Sequence, residues 1–166
     1  MSEIEITNKH FLIELSWKEI NSDWIKDFFI FLDIDGTVAV DGGNEVESLI
    51  LQKVKELNSR NKIIFCSNKG KCEKRNQNIS AQTGVLCLNI KHKKPSRKIL
   101  NFVNNPNRDK FLVIGDKFLI DGLFAWRIGA KFVKIKRIKS NQDNIPTKLI
   151  YLIDDIFFAI YKFFVL

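Results

Sequence analysis

The chain has 166 residues, 45% hydrophobic and 28% charged, which suits one globular domain with a sizeable core and excludes a disordered or fibrous protein. Its formal net charge of +8 favours anionic partners: nucleic acid, an acidic membrane surface or a phosphorylated substrate. Three cysteines, Cys66, Cys72 and Cys87, show no metal-ligand spacing, and their odd number argues against a closed disulfide framework, so a reducing, cytoplasmic setting is expected. Met1 to Ile6 carries two Glu and no apolar run, so no secretory signal is expected. Phe is frequent, with 14 copies, and is assigned to the core.

Residues 7–27 mix apolar and polar positions and predict a short helix around Trp17 to Ile25. A dense apolar run, Phe28 to Leu32, then ends at Asp33. Such runs read as buried parallel strands, and they recur at Lys62–Cys66, Val85–Ile90, Lys110–Ile114 and Lys131–Ile135. Between them lie segments of helical spacing. Val46, Ile50, Val54 and Leu57 form one apolar stripe. Residues 71–82 are polar and compatible with a helix. Pro95 suits a helix start, and Phe118 to Ile128 follows the fourth strand. Strands alternating with helices imply an α/β fold with a mostly parallel, five-stranded sheet. Thr147 is placed as the N-cap of a final helix, Lys148 to Leu166. Its central Asp154 and Asp155 argue against a membrane span. The division is one domain over 1–166: an N-terminal helix within 1–27, a core at 28–136 and a C-terminal helix at 146–166.

Open parallel sheets place ligands at the carboxyl ends of their strands. The unusual polar residues fall there. Asp33-Ile34-Asp35-Gly36-Thr37 follows the first strand, and burying its carboxylates costs several kcal/mol unless they are paired or metal-bound. Gly36 lets the chain leave the strand sharply. A plain Asp-Gly turn is the alternative. Ser67 and Asn68 end another strand and can hold a phosphate oxygen, or merely cap the next helix. In Lys91-His92-Lys93-Lys94-Pro95, one lysine before a helix start can neutralise a phosphoryl group. Gly115-Asp116, with Asp121 five residues on, ends a further strand. Mg²⁺ prefers carboxylates and waters, and Asp33, Asp35 and Asp116 at neighbouring strand ends supply carboxylates.

Taken in order, these elements resemble the haloacid dehalogenase (HAD) superfamily of phosphatases over residues 28–136. The four motifs fall at Asp33-x-Asp35-Gly36-Thr37, Ser67, Lys94 and Gly115-Asp116-x-x-x-x-Asp121. The resemblance implies a Rossmann-like fold, an Mg²⁺ cofactor and an aspartyl-phosphate formed on Asp33. It implies Asp35 as general acid–base, with its main-chain carbonyl on the metal. Thr37, Ser67, Asn68 and Lys94 would hold phosphate, Asp33, Asp35 and Asp116 would take the metal, and Gly115 and Asp121 would support them. Asp121 would act through water on the metal or orient Lys94. Asp35 to Val46 allows only a short flap, and 69–84 little more than one helix, so the cap is minimal.

The second half is similar to the capless subfamily that dephosphorylates phosphatidylglycerophosphate. Lys94-Pro95, Val113 through Gly122, Gly129 and the C-terminal helix carry that likeness. That subfamily usually has Asn at Gly36, Asn at or near Lys69, and Thr at Ile120. A lipid phosphate lies at a membrane surface, where each basic charge gains about 1 kcal/mol from anionic lipid. Lys131, Lys134, Lys136, Arg137 and Lys139 form a basic cluster, and Phe157, Phe158, Tyr161, Phe163 and Phe164 suit either an interface or packing on the sheet. Peripheral contact with an anionic membrane is therefore a candidate property. The alternatives are the same chemistry on a soluble sugar phosphate or a nucleic-acid phosphate end, and a non-enzymatic binding module. No oligomeric state is read from the sequence.

Overall fold

The structure is a computed structural model that describes residues 12–69, 74–88, 91–103, 110–140 and 143–165. Cys72, and the end of the third expected strand at Asn89 and Ile90, lie outside these residues.

The apolar runs pair as parallel strands. In chain order these are β1 (Leu12–Leu15), β2 (Phe29–Leu32), β3 (Lys62–Phe65), β4 (Leu86–Cys87), β5 (Phe111–Gly115) and β6 (Lys131–Ile135). The sheet order is β1-β6-β5-β2-β3-β4, and every pairing is parallel. β2 is central, in register with β3 (Leu32 opposite Phe65) and β5 (Leu32 opposite Ile114). The three strand ends that carry most of the unusual polar residues thus come out side by side.

The sheet has six strands rather than the expected five. The added one, β1, arises where the N-terminal helix was expected, and Trp17 to Ile25 forms turns instead. The cause is local: the Asn21 side chain accepts from the Asp23 amide at 2.8 Å, a turn that competes with helix. Trp17, Ile20 and Ile25 are nevertheless buried, and the Trp17 indole donates to the Thr37 carbonyl at 2.6 Å.

Side chains alternate along β2, so the sheet divides two cores. Ile30 and Leu32 face the first, closed by Ile50, Val54 and Leu57 of α1 (Ser48–Arg60) and Ile79 of α2 (Lys74–Thr83). Phe29 and Phe31 face the second with Phe111 and Phe132. Phe124 of α3 (Leu123–Ile128) and Phe158 of α4 (Ile145–Val165) close it. Phe31 meets Phe111 and Phe124 edge-on, each with centroids 5.4 Å apart. The Phe-rich core is thus one face of the sheet.

Smaller departures occur at element ends. The Pro95 segment leads into a 3₁₀ helix, Arg97–Phe102, whose start is capped by Ser96. The Phe118–Ile128 helix opens as a wide π turn, Phe118–Gly122, before α3. α4 begins at Ile145, and Asn144 rather than Thr147 caps it, accepting from the Thr147 amide at 2.9 Å. Residues 36–42 fold into tight turns, with Ile34 O accepting from the amides of Thr37, Val38 and Ala39, so the flap is short as expected.

Truncating Phe31 to Ala removes the ring around which the second core packs. Urea denaturation is expected to show a loss of about 3–5 kcal/mol.

Candidate active site

The parallel register brings Asp33 (after β2), Asp116 (after β5) and Asp121 (in the π turn) together. One carboxylate oxygen from each lies within 4.8 Å of the others, and all three residues are buried. Three uncompensated carboxylates at such spacing would not stay ionised together. Three cations are interleaved with them. Lys94 Nζ, itself buried, donates to Asp33 Oδ1 at 2.8 Å and Asp121 Oδ1 at 2.5 Å. Lys117 Nζ donates to Asp116 Oδ1 at 2.6 Å and the Asp35 carbonyl at 3.0 Å, 4.0 Å from Asp33 Oδ2. Arg137 Nε donates to the other Asp116 oxygen at 2.7 Å.

The titration of these groups follows from that arrangement. Burial alone would lower the Lys94 ammonium, but Asp121 and Asp33 outweigh it and hold its pKa well above the usual lysine range. Lys117 is raised in the same way, chiefly by Asp116. Burial pushes the Asp116 and Asp121 carboxyls up even against their lysine partners. Such carboxylates are stabilised by added positive charge.

The backbone makes these contacts possible at two glycines. Gly36 has φ +79°, and a Cβ there would come within 2.5 Å of Asp116 Oδ2. An Asn at this position could adopt the φ but not escape the contact. A Cβ on Gly115 would lie 2.3 Å from Asp121 Cγ. Only glycine lets the π turn fold Asp121 back over the end of β5. The same turn is anchored by α4, whose buried Asp154 accepts from the Phe118 and Leu119 amides at 3.0 and 2.8 Å.

The remaining expected residues divide into those that reach the site and those that support it. Asp35 lies beside Asp33 in a cleft of about 270 Å³, lined also by Asn68, Lys69, Ile120, Ile150 and Tyr151. Burial raises the Asp35 carboxyl. The Gly42 amide, Arg75 and Lys69 together outweigh burial and hold it below the usual carboxylate range. Ser67 donates to Asp35 Oδ2 at 3.3 Å. Asn68 clamps the main chain of Lys94, accepting from its amide at 2.7 Å and donating to its carbonyl at 2.9 Å. Thr37 is fully buried, does not line the cleft, and its hydroxyl has no hydrogen-bond partner. Both oxygens of Asp121 are engaged, one by Lys94 and one by the Lys117 amide at 3.1 Å.

Sequence reasoning missed Arg75, Lys117 and the role of Arg137. Arg75, on α2, meets Asp35 at 2.8 Å. Arg137 belongs by sequence to the basic cluster offered for an anionic membrane, yet its side chain is 3% exposed and bridges Asp116 to Asp154 and Asp155. Lys134 is likewise buried, paired with Glu14 and lying over the Phe158 ring. Only their neighbours in space distinguish these from solvated surface lysines. A weak sequence signal existed for Lys117, which sits directly after Asp116.

A divalent metal would find a suitable donor set. Asp33, Asp116 and the Asp35 carbonyl offer hard oxygens of the kind Mg²⁺ prefers. The Lys117 ammonium already stands among all three, so the position is one that favours a cation.

A model of the mitochondrial PGP (phosphatidylglycerophosphate) phosphatase family matches residues 6–138. No curated protein matches the chain.

Cys66 sits beside this cluster, and burial pushes its thiol up to about 12, with Lys94 opposing. The thiolate is the reactive form, so iodoacetamide at pH 8 should leave Cys66 unmodified in the native protein. Unfolding should expose it, as read by site-resolved mass spectrometry.

Proposed function

This chain belongs to the mitochondrial PGP phosphatase family and is a phosphatase, a hydrolase of phosphoric monoesters, and from that premise we propose that it removes the terminal phosphate of phosphatidylglycerophosphate through an aspartyl-phosphate on Asp33. The observation that carries the mechanism is the buried Asp33–Lys94–Asp121 bridge at 2.8 and 2.5 Å. It holds one carboxylate at the floor of a cleft with a fixed positive charge beside it.

The chemistry proceeds in two steps. An Asp33 oxygen attacks phosphorus, and the bond to the leaving glycerol oxygen breaks. Asp35 delivers a proton to that oxygen. Water then attacks the phosphorus of the aspartyl-phosphate, Asp35 takes up its proton, and inorganic phosphate leaves with Asp33 restored. Lys94 offsets the charge of the transferring group, and Asn68 and Asp121 position Lys94. The Gly42 amide, Arg75 and Lys69 outweigh burial and lower the Asp35 carboxyl in the free enzyme, which favours the carboxylate form required of a base. An arriving phosphate dianion raises the affinity of Asp35 for a proton, the form required of an acid. The placement of Thr37 behind the cleft favours a structural role for it.

Mg²⁺ would be held by Asp33, Asp116 and the Asp35 carbonyl, where it would reduce the repulsion between Asp33 and the phosphoryl group. Lys117 occupies the same neighbourhood and so competes with the metal. The fold leaves the cleft uncapped by the short flap, and its volume of about 270 Å³ suits a phosphate headgroup far better than a whole diacyl lipid. That favours a substrate whose bulk stays outside.

Purified protein with Mg²⁺ should hydrolyse phosphatidylglycerophosphate and, more slowly, a generic soluble ester. Asp33→Asn should abolish both, a fall of at least about 10³-fold, while its circular dichroism stays native. Full activity in that variant would refute the mechanism. Equal or better turnover of sugar phosphates or of nucleic-acid phosphate ends would move the substrate away from lipid. Lys117→Met, which removes the competing cation, should bind Mg²⁺ several-fold more tightly by calorimetry. Weaker binding would show instead that Lys117 supports the metal.

A further inference from the structure

α4 turns the wrong face to solvent for a surface helix. Its inner stripe is Thr147, Tyr151, Asp154, Phe158 and Tyr161, half-buried or buried against the sheet and the π turn. Its outer arc is almost wholly apolar: Leu149, Ile153, Ile156, Phe157 and Ile160 are 42–55% exposed, and Phe163 is 83% exposed. At 3.6 residues per turn, Lys148, Asp155 and Lys162 gather within about 40° of arc on one flank. A surface helix normally shows the reverse pattern, and a contiguous apolar patch of this kind marks a contact surface.

What borders the arc identifies the contact. On the flank with Lys162 runs a groove whose exposed basic side chains are Lys136, Lys139 and Lys162, set over the buried, ion-paired Lys134 and Arg137 and against Glu14 and Asp155. Ile150, on the opposite flank, lines the catalytic cleft itself together with Thr147 and Tyr151 of the inner stripe. An apolar crest with a basic groove on one side and a phosphate-processing cleft on the other matches one environment, the interface of an anionic bilayer. There acyl chains meet the crest and headgroup phosphates meet the lysines. No helix among the described residues is long and apolar enough to cross a membrane, and the inner face of α4 is packed on the domain through Phe158. A second copy is the other occupant of such a face, but it would bring a +8 chain against a +8 chain and crowd the mouth of the cleft.

We propose that the outer arc of α4 docks this protein on anionic membrane, with the helix lying in the interface plane and the cleft opening at the lipid surface. The proposal rests on the phosphatase reading for its substrate and on α4 for its surface, and the two are separable. The test is flotation with phosphatidylcholine vesicles with and without phosphatidylglycerol, in parallel with turnover of vesicle-embedded phosphatidylglycerophosphate and of a soluble ester. Wild type should float with the anionic vesicles, less with neutral ones, and less at high salt. Ile156→Glu/Ile160→Glu should lose flotation and vesicle turnover by about tenfold or more, since charge on the apolar face opposes insertion. Its soluble-ester turnover should stay within about twofold of wild type, which shows a native fold. Lys139→Glu, a milder change in the groove, should weaken flotation to anionic vesicles alone. Asp33→Asn should float normally and turn over neither substrate. Flotation without any turnover would sink the catalytic reading and keep the docking surface. The docking proposal is overturned if wild type stays unbound on anionic vesicles, or if the double variant floats as well as wild type. It is equally overturned if light scattering shows a dimer that the double variant dissociates.

Discussion

The Lys94 ammonium held between Asp33 and Asp121 is the interaction on which the site depends. Asp33, Asp116 and Asp121 are withdrawn from water within 4.8 Å of one another. Removing a carboxylate from water costs several kcal/mol, and neighbouring like charges add to it. The cost is offset because three cations face the three carboxylates: Lys94 bridges Asp33 and Asp121, and Lys117 and Arg137 both pair with Asp116. The cluster is nearly neutral as a whole and sharply charged at each atom. That is the electrostatic character required of a site that must accept and release a phosphate dianion.

Much of the fold serves to assemble that cluster. The parallel register sets the ends of β2 and β5 side by side, and Gly115 lets the π turn bring Asp121 back against β5. Gly36 lets the flap pass under Asp116. Asp154 reaches from α4 to fix the start of the π turn and, through Arg137, to steady Asp116. α4 is therefore tied to the chemistry from its inner face while its outer face stays apolar. One element steadies Asp116 through Arg137 and, in the docking proposal, would offer the surface on which a lipid substrate is met.

The sequence made the central parts of this legible. Apolar runs ending in Asp33, Ser67 and Gly115-Asp116 were readable because buried parallel strands tolerate few polar residues, so a carboxylate at the end of one stands out. The helices α1 and α2 followed from spacing. Other features depended on contacts that no local pattern encodes. β1 is a four-residue edge strand with Glu14 in it, too short and mixed to separate from helix. Trp17 to Ile25 was misread because its buried residues are spaced compatibly with a helix, while the Asn21 side chain stabilises a turn. Arg137 and Arg75 look in the sequence like any solvated cation, and their partners lie 21 and 40 residues away. The inverted exposure of α4 was open in the sequence, where Phe158 and Phe163 look alike, and only packing separates a buried ring from an exposed one.

The central claim is that Asp33 carries the phosphoryl group. Acid-quenching the enzyme during turnover of phosphatidylglycerophosphate with Mg²⁺, followed by peptide mapping by mass spectrometry, tests it directly. The account predicts an acid-stable, hydroxylamine-labile phosphoryl adduct on Asp33. An adduct on another residue, or none while product accumulates in a burst, would contradict it.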